Sequence, residues 1–291
     1  MRVDLLAGTL YGPRAMVERR PTILIFDSGL GGLTVFAEVL KARPDARFVY
    51  AADDAGFPYG RLSEEVLAGR VAAVLERLIA RHAPDLVIVA CNTASTVNVV
   101  LPHLRSRFAV PIVGTVPPVK PAAALSRSRL ISILATPGTV ARAYTQNLVD
   151  AYGGDCRVTL VGSPRLAELA TAALSGEPVS DADVAAELRP AFVEESGRRT
   201  DVVGLGCTHY PLLLDRFERL APWPVTWLDP APAVARRVVQ LLGPARAARE
   251  PDGVATMVFT SGAEVTPALR AALVSRGIPQ IALEAIPLAQ A

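Results

Sequence analysis

Cysteine and histidine are scarce in this chain of 291 residues, which has 3 of each. An odd number of widely spaced cysteines does not form the disulfide framework of a small secreted domain. Aromatic residues make up only 5%, and no dense lysine and arginine cluster suggests a nucleic-acid groove. No apolar run approaches the roughly 18 residues that span a bilayer. We therefore expect a cytoplasmic protein that binds neither membrane nor nucleic acid.

The composition is that of a globular protein with a substantial core. Hydrophobic residues make up 51% and charged residues 20%, and 30 basic and 28 acidic residues give a net charge of +2. The length fits one large domain or two domains of roughly 100–150 residues. Residues 1–21 lack the apolar segment and cleavage site of a signal peptide, so we expect an N-terminal extension there, disordered ahead of the first strand.

Short apolar runs alternate with amphipathic stretches from residue 22 onward, which is typical of parallel βα units. The runs predict eight strands, over 22–26, 46–52, 85–90, 110–116, 130–136, 157–163, 201–206 and 255–261. Helices are predicted from Leu33, over 63–82 with Ser63 as N-cap, through Tyr144 and Leu148, over 230–242 and near 266–276. The pattern restarts near residue 130, so the sequence predicts two successive α/β units.

Each unit places one cysteine at the C-terminal end of an apolar strand. Cys91 lies in "ACNTAS" (90–95) and Cys207 in "GLGCTHYPLL" (204–213). Ligands of open parallel sheets bind at that end of the strands, so two facing units would form a cleft with one cysteine in each wall. Cys91 precedes a predicted helix, and a helix N-terminus lowers the pKa of a thiol from about 8.5. The alternative is a buried cysteine that acts as a small hydrophobic residue.

His209 lies two residues after Cys207 and can orient or protonate a neighbouring group. The paired ligand spacings of a structural zinc site are missing, so we predict no metal. A cysteine hydrolase with His209 as the base would leave Cys91 unexplained. Cys156 follows a Gly–Gly turn without polar neighbours and is interpreted as structural.

A glycine-rich turn, "FDSGLGG" (26–32), follows the first predicted strand. Backbone N–H groups at such a turn favour an anion. Thr34 occupies the third glycine position of a dinucleotide fingerprint, which weakens a nucleotide interpretation. The alternative is a tight turn in which Asp27 and Ser28 cap the helix.

Five motifs in this order resemble the glutamate racemases of the aspartate/glutamate racemase superfamily. They are "FDSGLGGLTV" (26–35), "PYG" (58–60), "ACNTAS" (90–95), "ATPGTV" (135–140) and "GCTHYPLL" (206–213). The resemblance implies an α/β fold of two αβα domains with parallel-type sheets in pseudo-twofold relation and the active site in the cleft between them. It implies a first domain of residues 22–115 plus 225–291, with the C-terminal segment packed on it, and a second domain of residues 116–224.

The resemblance also implies a chemistry. Family members interconvert L- and D-glutamate without cofactor or metal and supply D-glutamate for peptidoglycan. Carried over to this sequence, Cys91 and Cys207 exchange the α-proton, and Asp27 and His209 assist them. Substrate binding is expected from Asp27, Ser28, Tyr59, Gly60, Asn92, Thr93, Thr208 and His209.

Some expectations stay open at this point. Thr171 stands where many family members have a glutamate that assists the second thiol, and Glu168 lies one turn away. The partners expected from the resemblance are the glutamate substrate and a peptidoglycan-precursor activator, in a monomer or a homodimer. The alternatives are a racemase of another acidic amino acid, such as aspartate, and a non-catalytic anion-binding module. A decarboxylase of this fold keeps one catalytic cysteine, and the presence of two argues against it.

Overall fold

The structure is a computed structural model that describes residues 20–245, 255–263 and 265–286. The N-terminal extension predicted over 1–21 lies outside the described residues except for its last two. The strands are β1 (Thr22–Asp27), β2 (Arg47–Ala52), β3 (Leu86–Val89), β4 (Ile112–Gly114), β5 (Leu130–Ala135), β6 (Arg157–Gly162), β7 (Glu194–Glu195), β8 (Arg198–Arg199), β9 (Val202–Gly206), β10 (Thr226–Leu228), β11 (Ala255–Phe259) and β12 (Gln280–Leu283).

The helices connect these strands and cover the sheets. They are α1 (Leu33–Ala42), α2 (Glu64–His82), α3 (Asn92–Ser95), α4 (Val100–Arg107), α5 (Val119–Leu125), α6 (Pro137–Val140), α7 (Ala143–Tyr152), α8 (Leu166–Leu174), α9 (Asp181–Leu188), α10 (Leu214–Leu220), α11 (Ala231–Leu242) and α12 (Pro267–Val274). Ser63 is the N-cap of α2, as predicted, since its side chain accepts a hydrogen bond from the Val66 N–H. Within the described ranges, no helix is both long and apolar enough to cross a membrane.

Two parallel sheets form the centre of the molecule. The first has the order β12-β11-β2-β1-β3-β4 and the second the order β10-β9-β5-β6. Apart from β11 and β12, the order β2-β1-β3-β4 of the first sheet repeats as β6-β5-β9-β10 in the second. By this correspondence β3, which precedes Cys91, is equivalent to β9, which precedes Cys207. The predicted α/β fold with parallel sheets is confirmed, and the repeated strand order agrees with the predicted relation of two similar halves.

The apolar runs form strands because both faces of each sheet are covered, so residues pointing either way are buried. In β1, Ile23 and Ile25 pack into one core cluster with α1 and α11. Leu24 and Phe26 point the other way and pack with α2 and α4. The second sheet likewise separates two smaller clusters. This double covering holds the strand ends, and the loops that leave them, in fixed positions.

The structure contains all eight predicted strands and adds four. Strands β7 and β8 form a short antiparallel pair, and β12 extends the first sheet beside β11. The C-terminal segment returns to the first sheet, where β11 pairs with β2. Strand β10, which was not predicted, pairs with β9 in the second sheet, and the first sheet resumes only at β11. The domain limits given above remain a prediction.

Candidate active site

A small cavity lies where the carboxyl ends of β3 and β9 face each other. Its free volume is about 20 Å³. Nine of the ten predicted site residues line it, all except Asp27. The lining residues are Ser28, Phe57, Pro58, Tyr59, Gly60, Cys91, Asn92, Thr93, Thr136, Ala167, Cys207, Thr208 and His209. The structure therefore brings together residues from both sheets that lie more than a hundred positions apart in the sequence.

The first wall of the cavity carries Cys91. This residue ends the run that forms β3 and is the N-cap of α3, a helix of four residues. Its Sγ donates to the Ser28 hydroxyl at 3.5 Å. Burial and then the charge of Asp27 raise the pKa of the Cys91 thiol to about 11, against a smaller lowering by Ser28. The predicted lowering of this thiol pKa is thus wrong. Desolvation raises the pKa by more than the one-turn helix and the Ser28 hydroxyl lower it.

The second wall carries Cys207, which follows β9 and is also buried. Burial is the main cause that raises the pKa of the Cys207 thiol, and the charges of Cys91 and Asp27 add to it. His209 Nδ1 lies 3.8 Å from Cys207 Sγ. On the other side of the ring, Nε2 accepts a hydrogen bond from the Gly31 N–H at 3.2 Å. Burial lowers the pKa of His209, so the ring is neutral near pH 7.

These contacts fix the tautomer of His209. A neutral imidazole has one donor and one acceptor nitrogen. Because Nε2 accepts from Gly31, the proton lies on Nδ1, which faces Cys207. His209 is thus arranged to donate a hydrogen bond to the Cys207 thiolate. Gly31 can have no side chain here, since a Cβ would lie 2.4 Å from His209 Nδ1.

Asp27 lies behind the cavity and is fully buried. One carboxylate oxygen accepts from the N–H groups of Gly29 and Gly32, each at 3.2 Å. The other accepts from the Thr208 hydroxyl at 3.1 Å. The anion held by the glycine-rich turn is therefore the chain's own Asp27. The N-cap of α1 is Gly32 and has no side-chain capping bond, so the interpretation in which Asp27 and Ser28 cap this helix is wrong. The bond from Thr208 to this carboxylate joins the second domain to the first beside Cys207.

Tyr59 and Gly60 line the cavity from the turn that follows β2. The Tyr59 hydroxyl donates to the buried carboxylate of Asp53. Arg70 binds the same carboxylate at 2.5 and 2.9 Å, and the Thr260 hydroxyl donates to it at 2.5 Å. Because Arg70 is on α2 and Thr260 follows β11, the turn is held from two directions. This network fixes the Pro–Tyr–Gly turn at the cavity.

Three threonine hydroxyls form a triangle at the floor of the cavity. Thr93, Thr136 and Thr139 lie 3.0 to 3.2 Å apart at their Oγ1 atoms. Beside them, neither the nitrogen nor the oxygen of the buried Asn92 amide has a hydrogen-bond partner within the part of the chain that the structure describes. A buried amide without partners is costly, so Asn92 is suited to bind a polar ligand.

Sequence reasoning missed four of the lining residues, namely Phe57, Pro58, Thr136 and Ala167. Thr136 could have been predicted from the sequence. It follows β5, the strand equivalent to β1, so it lies at the same edge of the second sheet as the loop after β9. Phe57 packs on the His209 ring with centroids 5.3 Å apart, a contact that only the docked domains create. Ala167 and Pro58 carry no chemical signal in the sequence.

Glu168 lies at the outer edge of the cleft. Its Oε1 is 2.5 Å from Arg61 Nη2, and both side chains are largely exposed. This contact joins α8 of the second domain to the turn after Tyr59 in the first. Glu168 has a bridging contact across the cleft, in place of the contact to the second thiol that its position suggested.

The sequence model of the Asp/Glu/hydantoin racemase family matches residues 29–238 of this chain. A glutamate racemase of Brucella anthropi is 53% identical over 239 residues, which are 82% of this chain and 84% of that protein. A glutamate racemase of Agrobacterium fabrum is 52% identical over 241 residues, which are 82% of this chain and 88% of that protein. The crystal structure of Escherichia coli glutamate racemase in complex with L-glutamate and the activator UDP-MurNAc-ala matches with a TM-score of 0.81 at 39% identity, over 92% of this chain and 99% of that one.

The chain belongs to the Asp/Glu/hydantoin racemase family. It is an isomerase of amino acids, and the relatives and the solved structure above are all glutamate racemases. The resemblance that the five sequence motifs predicted is thereby confirmed.

Proposed function

We propose that this protein interconverts L- and D-glutamate by proton exchange between the substrate Cα and two thiols, Cys91 and Cys207. The observation that carries the proposal is that each thiol comes from a different sheet and both line one cavity. Inversion of a tetrahedral carbon requires a base on one face and an acid on the other. Two thiols on facing walls meet that requirement in both directions.

The proposed step conserves protons. One cysteine, as the thiolate, takes the α-proton and becomes a thiol. The electron pair left on Cα delocalises into the adjacent carboxylate, and the opposite thiol then gives its proton to the other face and becomes the thiolate. The reverse direction exchanges the two roles. No redox partner or further reactant is needed.

Neutral groups would hold the substrate. Among the described residues that line the cavity there is no lysine or arginine. The amide of Asn92, the hydroxyls of Ser28, Thr93 and Thr136 and backbone N–H groups near Gly60 and Thr208 are the available donors. Donors fixed in a water-excluded cavity stabilise the charge that develops on the carboxylate as the α-proton leaves.

Because both thiol pKa values are raised, we infer that the bound substrate itself helps a thiolate to form. An opposite charge within about 4–6 Å favours the charged form of a group. The α-ammonium group is attached to the reacting carbon, so binding brings a cation close to both sulfurs. His209 Nδ1 and the Ser28 hydroxyl would then stabilise the Cys207 and Cys91 thiolates respectively. We therefore expect the thiolate to form in the complex and to be rare in the free enzyme.

Domain separation is part of the proposed cycle. A free volume of about 20 Å³ is that of about one water molecule, far below that of an amino acid with two carboxylates. The cleft must therefore open for substrate to enter and close for the reaction to proceed. Closure also excludes water from the carbanion-like intermediate, which would otherwise take a proton from solvent.

The product suggests a place in metabolism. D-Glutamate formed in this way would supply peptidoglycan biosynthesis in the cytoplasm. The Escherichia coli relative was solved with the activator UDP-MurNAc-ala, and we propose that a peptidoglycan precursor of that kind also increases the activity of this enzyme.

The test is proton NMR of L-glutamate incubated with the purified protein in D₂O, with L-aspartate in parallel and with the precursor present or absent. We expect loss of the α-proton signal of glutamate together with a fall of optical rotation toward zero. Exchange on aspartate alone would identify an aspartate racemase. No exchange on either amino acid, with the precursor present, would leave the anion-binding module as the remaining function.

A further inference from the structure

Arg142 is a buried cation at the boundary between the two domains. It lies between α6 and α7 of the second domain, and its side chain is only 6% exposed. Its three hydrogen-bond acceptors all belong to the first domain. Nη1 donates to the Thr93 carbonyl at 3.0 Å and to the Thr96 hydroxyl at 3.4 Å, and Nε donates to Glu64 at 3.1 Å. Nothing in the proposed proton exchange uses this residue.

The acceptors of Arg142 lie at the C-terminal end of α3, whose N-cap is Cys91. The carbonyls of Cys91 and Asn92 accept from the N–H groups of Ser95 and Thr96 within the turn. The Thr93 carbonyl comes after them, at the end of a helix where carbonyls lack partners inside the helix. Arginine side chains commonly bind such carbonyls. Here that arginine comes from the opposite domain.

Two ion pairs among the described residues thus cross the cleft, and they differ in burial. Arg61 and Glu168 are 69% and 43% exposed, so water and salt screen their attraction. Arg142 is enclosed, and its bonds to the Thr93 carbonyl and the Thr96 hydroxyl are shielded from water. Opening of the cleft must break all three of its bonds, whereas the exposed pair exchanges its contact for water at little cost.

We propose that Arg142 is the positioning residue that closes the cleft: its guanidinium docks on the end of α3 and so fixes the helix that carries Cys91 when the domains meet. This contact therefore links closure of the cleft to the placement of Cys91. Because Thr93 belongs to α3 and to the hydroxyl triangle, the same contact sets the floor of the cavity. Arg142 does not touch the reacting atoms and acts through α3.

The test is the rate at which iodoacetamide modifies each cysteine, measured by mass spectrometry of peptides from the wild-type protein and the Arg142→Ala variant without substrate. Cys91 and Cys207 are 4% and 6% exposed, so reagent reaches them only when the cleft opens. Cys156, half-buried and away from the cleft, is the internal reference. Loss of hydrogen bonds from a charged group should increase modification of both cleft thiols by about tenfold or more, with Cys156 unchanged.

The controls separate closure from other effects. Arg165→Ala removes an arginine of the second domain whose contact to Asp183 stays within that domain, and its rates should equal those of the wild type. Arg142→Lys, which keeps the charge, should give rates between wild type and Arg142→Ala. Unchanged rates at both cleft thiols in Arg142→Ala would overturn the proposal, as would an equal increase at all three cysteines, which indicates general unfolding.

A second measurement tests positioning, and it alone depends on the proposed racemase function. Arg142→Ala should lower kcat/KM for glutamate by about tenfold to a hundredfold, because a displacement of about 1 Å at a catalytic group has effects of that size. Arg142→Lys should recover part of the loss. Wild-type kcat/KM in Arg142→Ala would contradict the positioning role. The alkylation result holds whichever amino acid is the substrate, so the two proposals can fail separately.

Discussion

The two walls of the cavity are built from equivalent strands but assist their thiols differently. Cys91 has a hydroxyl beside it, and Ser28 comes from the same domain. Cys207 has an imidazole beside it, and the tautomer of His209 depends on Gly31 of the opposite domain. The repeated strand order explains why both thiols reach one cavity. The difference in neighbours shows that the repeat does not make the walls interchangeable.

Each wall is nevertheless completed by the other domain. The turn after β1 reaches the second wall through Gly31 and through Asp27, which binds Thr208. Arg142 of the second domain reaches the first wall through α3. The chemical groups are therefore in place only when the domains are closed. In the proposed mechanism, L- and D-glutamate present their α-protons to opposite walls, so each enantiomer would lose its proton to a differently assisted thiol.

The largest expected effect is that of removing one thiol. Cys91→Ser and Cys207→Ser should each reduce racemisation by about a thousandfold or more, because an alcohol is a poor base and loss of general acid or base catalysis has effects of this order. The remaining thiol can still exchange the α-proton of the enantiomer that faces it. Proton NMR in D₂O should thus detect exchange without inversion, for opposite enantiomers in the two variants. Exchange of the same enantiomer in both variants would contradict the facing-wall arrangement.

The next effect separates the two nitrogens of His209. In His209→Gln the amide can occupy the place of Nε2 near Gly31, but no donor faces Cys207. In His209→Asn a donor can occupy the place of Nδ1. We expect kcat to fall by about a hundredfold in the glutamine variant, the usual result of removing a donor to a developing charge, and by less in the asparagine variant. Steady-state kinetics in both directions measure this, and the reverse order would show that the tautomer assigned from Gly31 is wrong.

The sequence predicted the framework well because its signals are local. Eight apolar runs of β length form eight strands, and the loops after them lie at two facing edges, which is enough to find Cys91 and Cys207. Strand β12 was missed because "QIAL" is short and follows a Gly–Ile–Pro turn. It is a partly exposed edge strand that pairs with β11, a contact that the run alone does not indicate.

The electrostatics of the site could not be predicted in the same way. The direction of the Cys91 pKa shift follows from complete enclosure by both domains, and the local sequence contains only the helix that acts in the opposite direction. Thr136 and Arg142 were missed for a related reason: their partners lie in the other domain, around residues 93 and 64. Contacts of this kind form only when the two domains dock, so residue spacing within the chain does not predict them.

The raised thiol pKa values predict a rate that increases with pH. A thiol whose pKa is about 11 is almost fully protonated at pH 7, and the thiolate fraction grows by about tenfold for each unit of pH below that value. We expect kcat/KM to rise with pH between about pH 6.5 and 8.5, with a slope of at most one on logarithmic axes. Ser28→Ala should be slower than wild type at every pH in this range, because it removes a group that lowers the Cys91 pKa. A flat wild-type profile would show that the free enzyme already holds a thiolate.

The smallest expected effect concerns the exposed pair across the cleft. If Glu168 assisted Cys207 directly, Glu168→Gln would lower kcat strongly. Its contact with Arg61 predicts a change of less than about threefold, since exposed ion pairs contribute little. Arg61→Gln should have the same effect, and the double variant should be no worse than either one, because both single changes remove the same contact. Kinetics at low and high salt provide the check, with wild type approaching the variants as salt screens the pair. A fall in kcat of tenfold or more in Glu168→Gln alone would show that Glu168 assists Cys207 directly. The two walls would then differ less than the structure indicates.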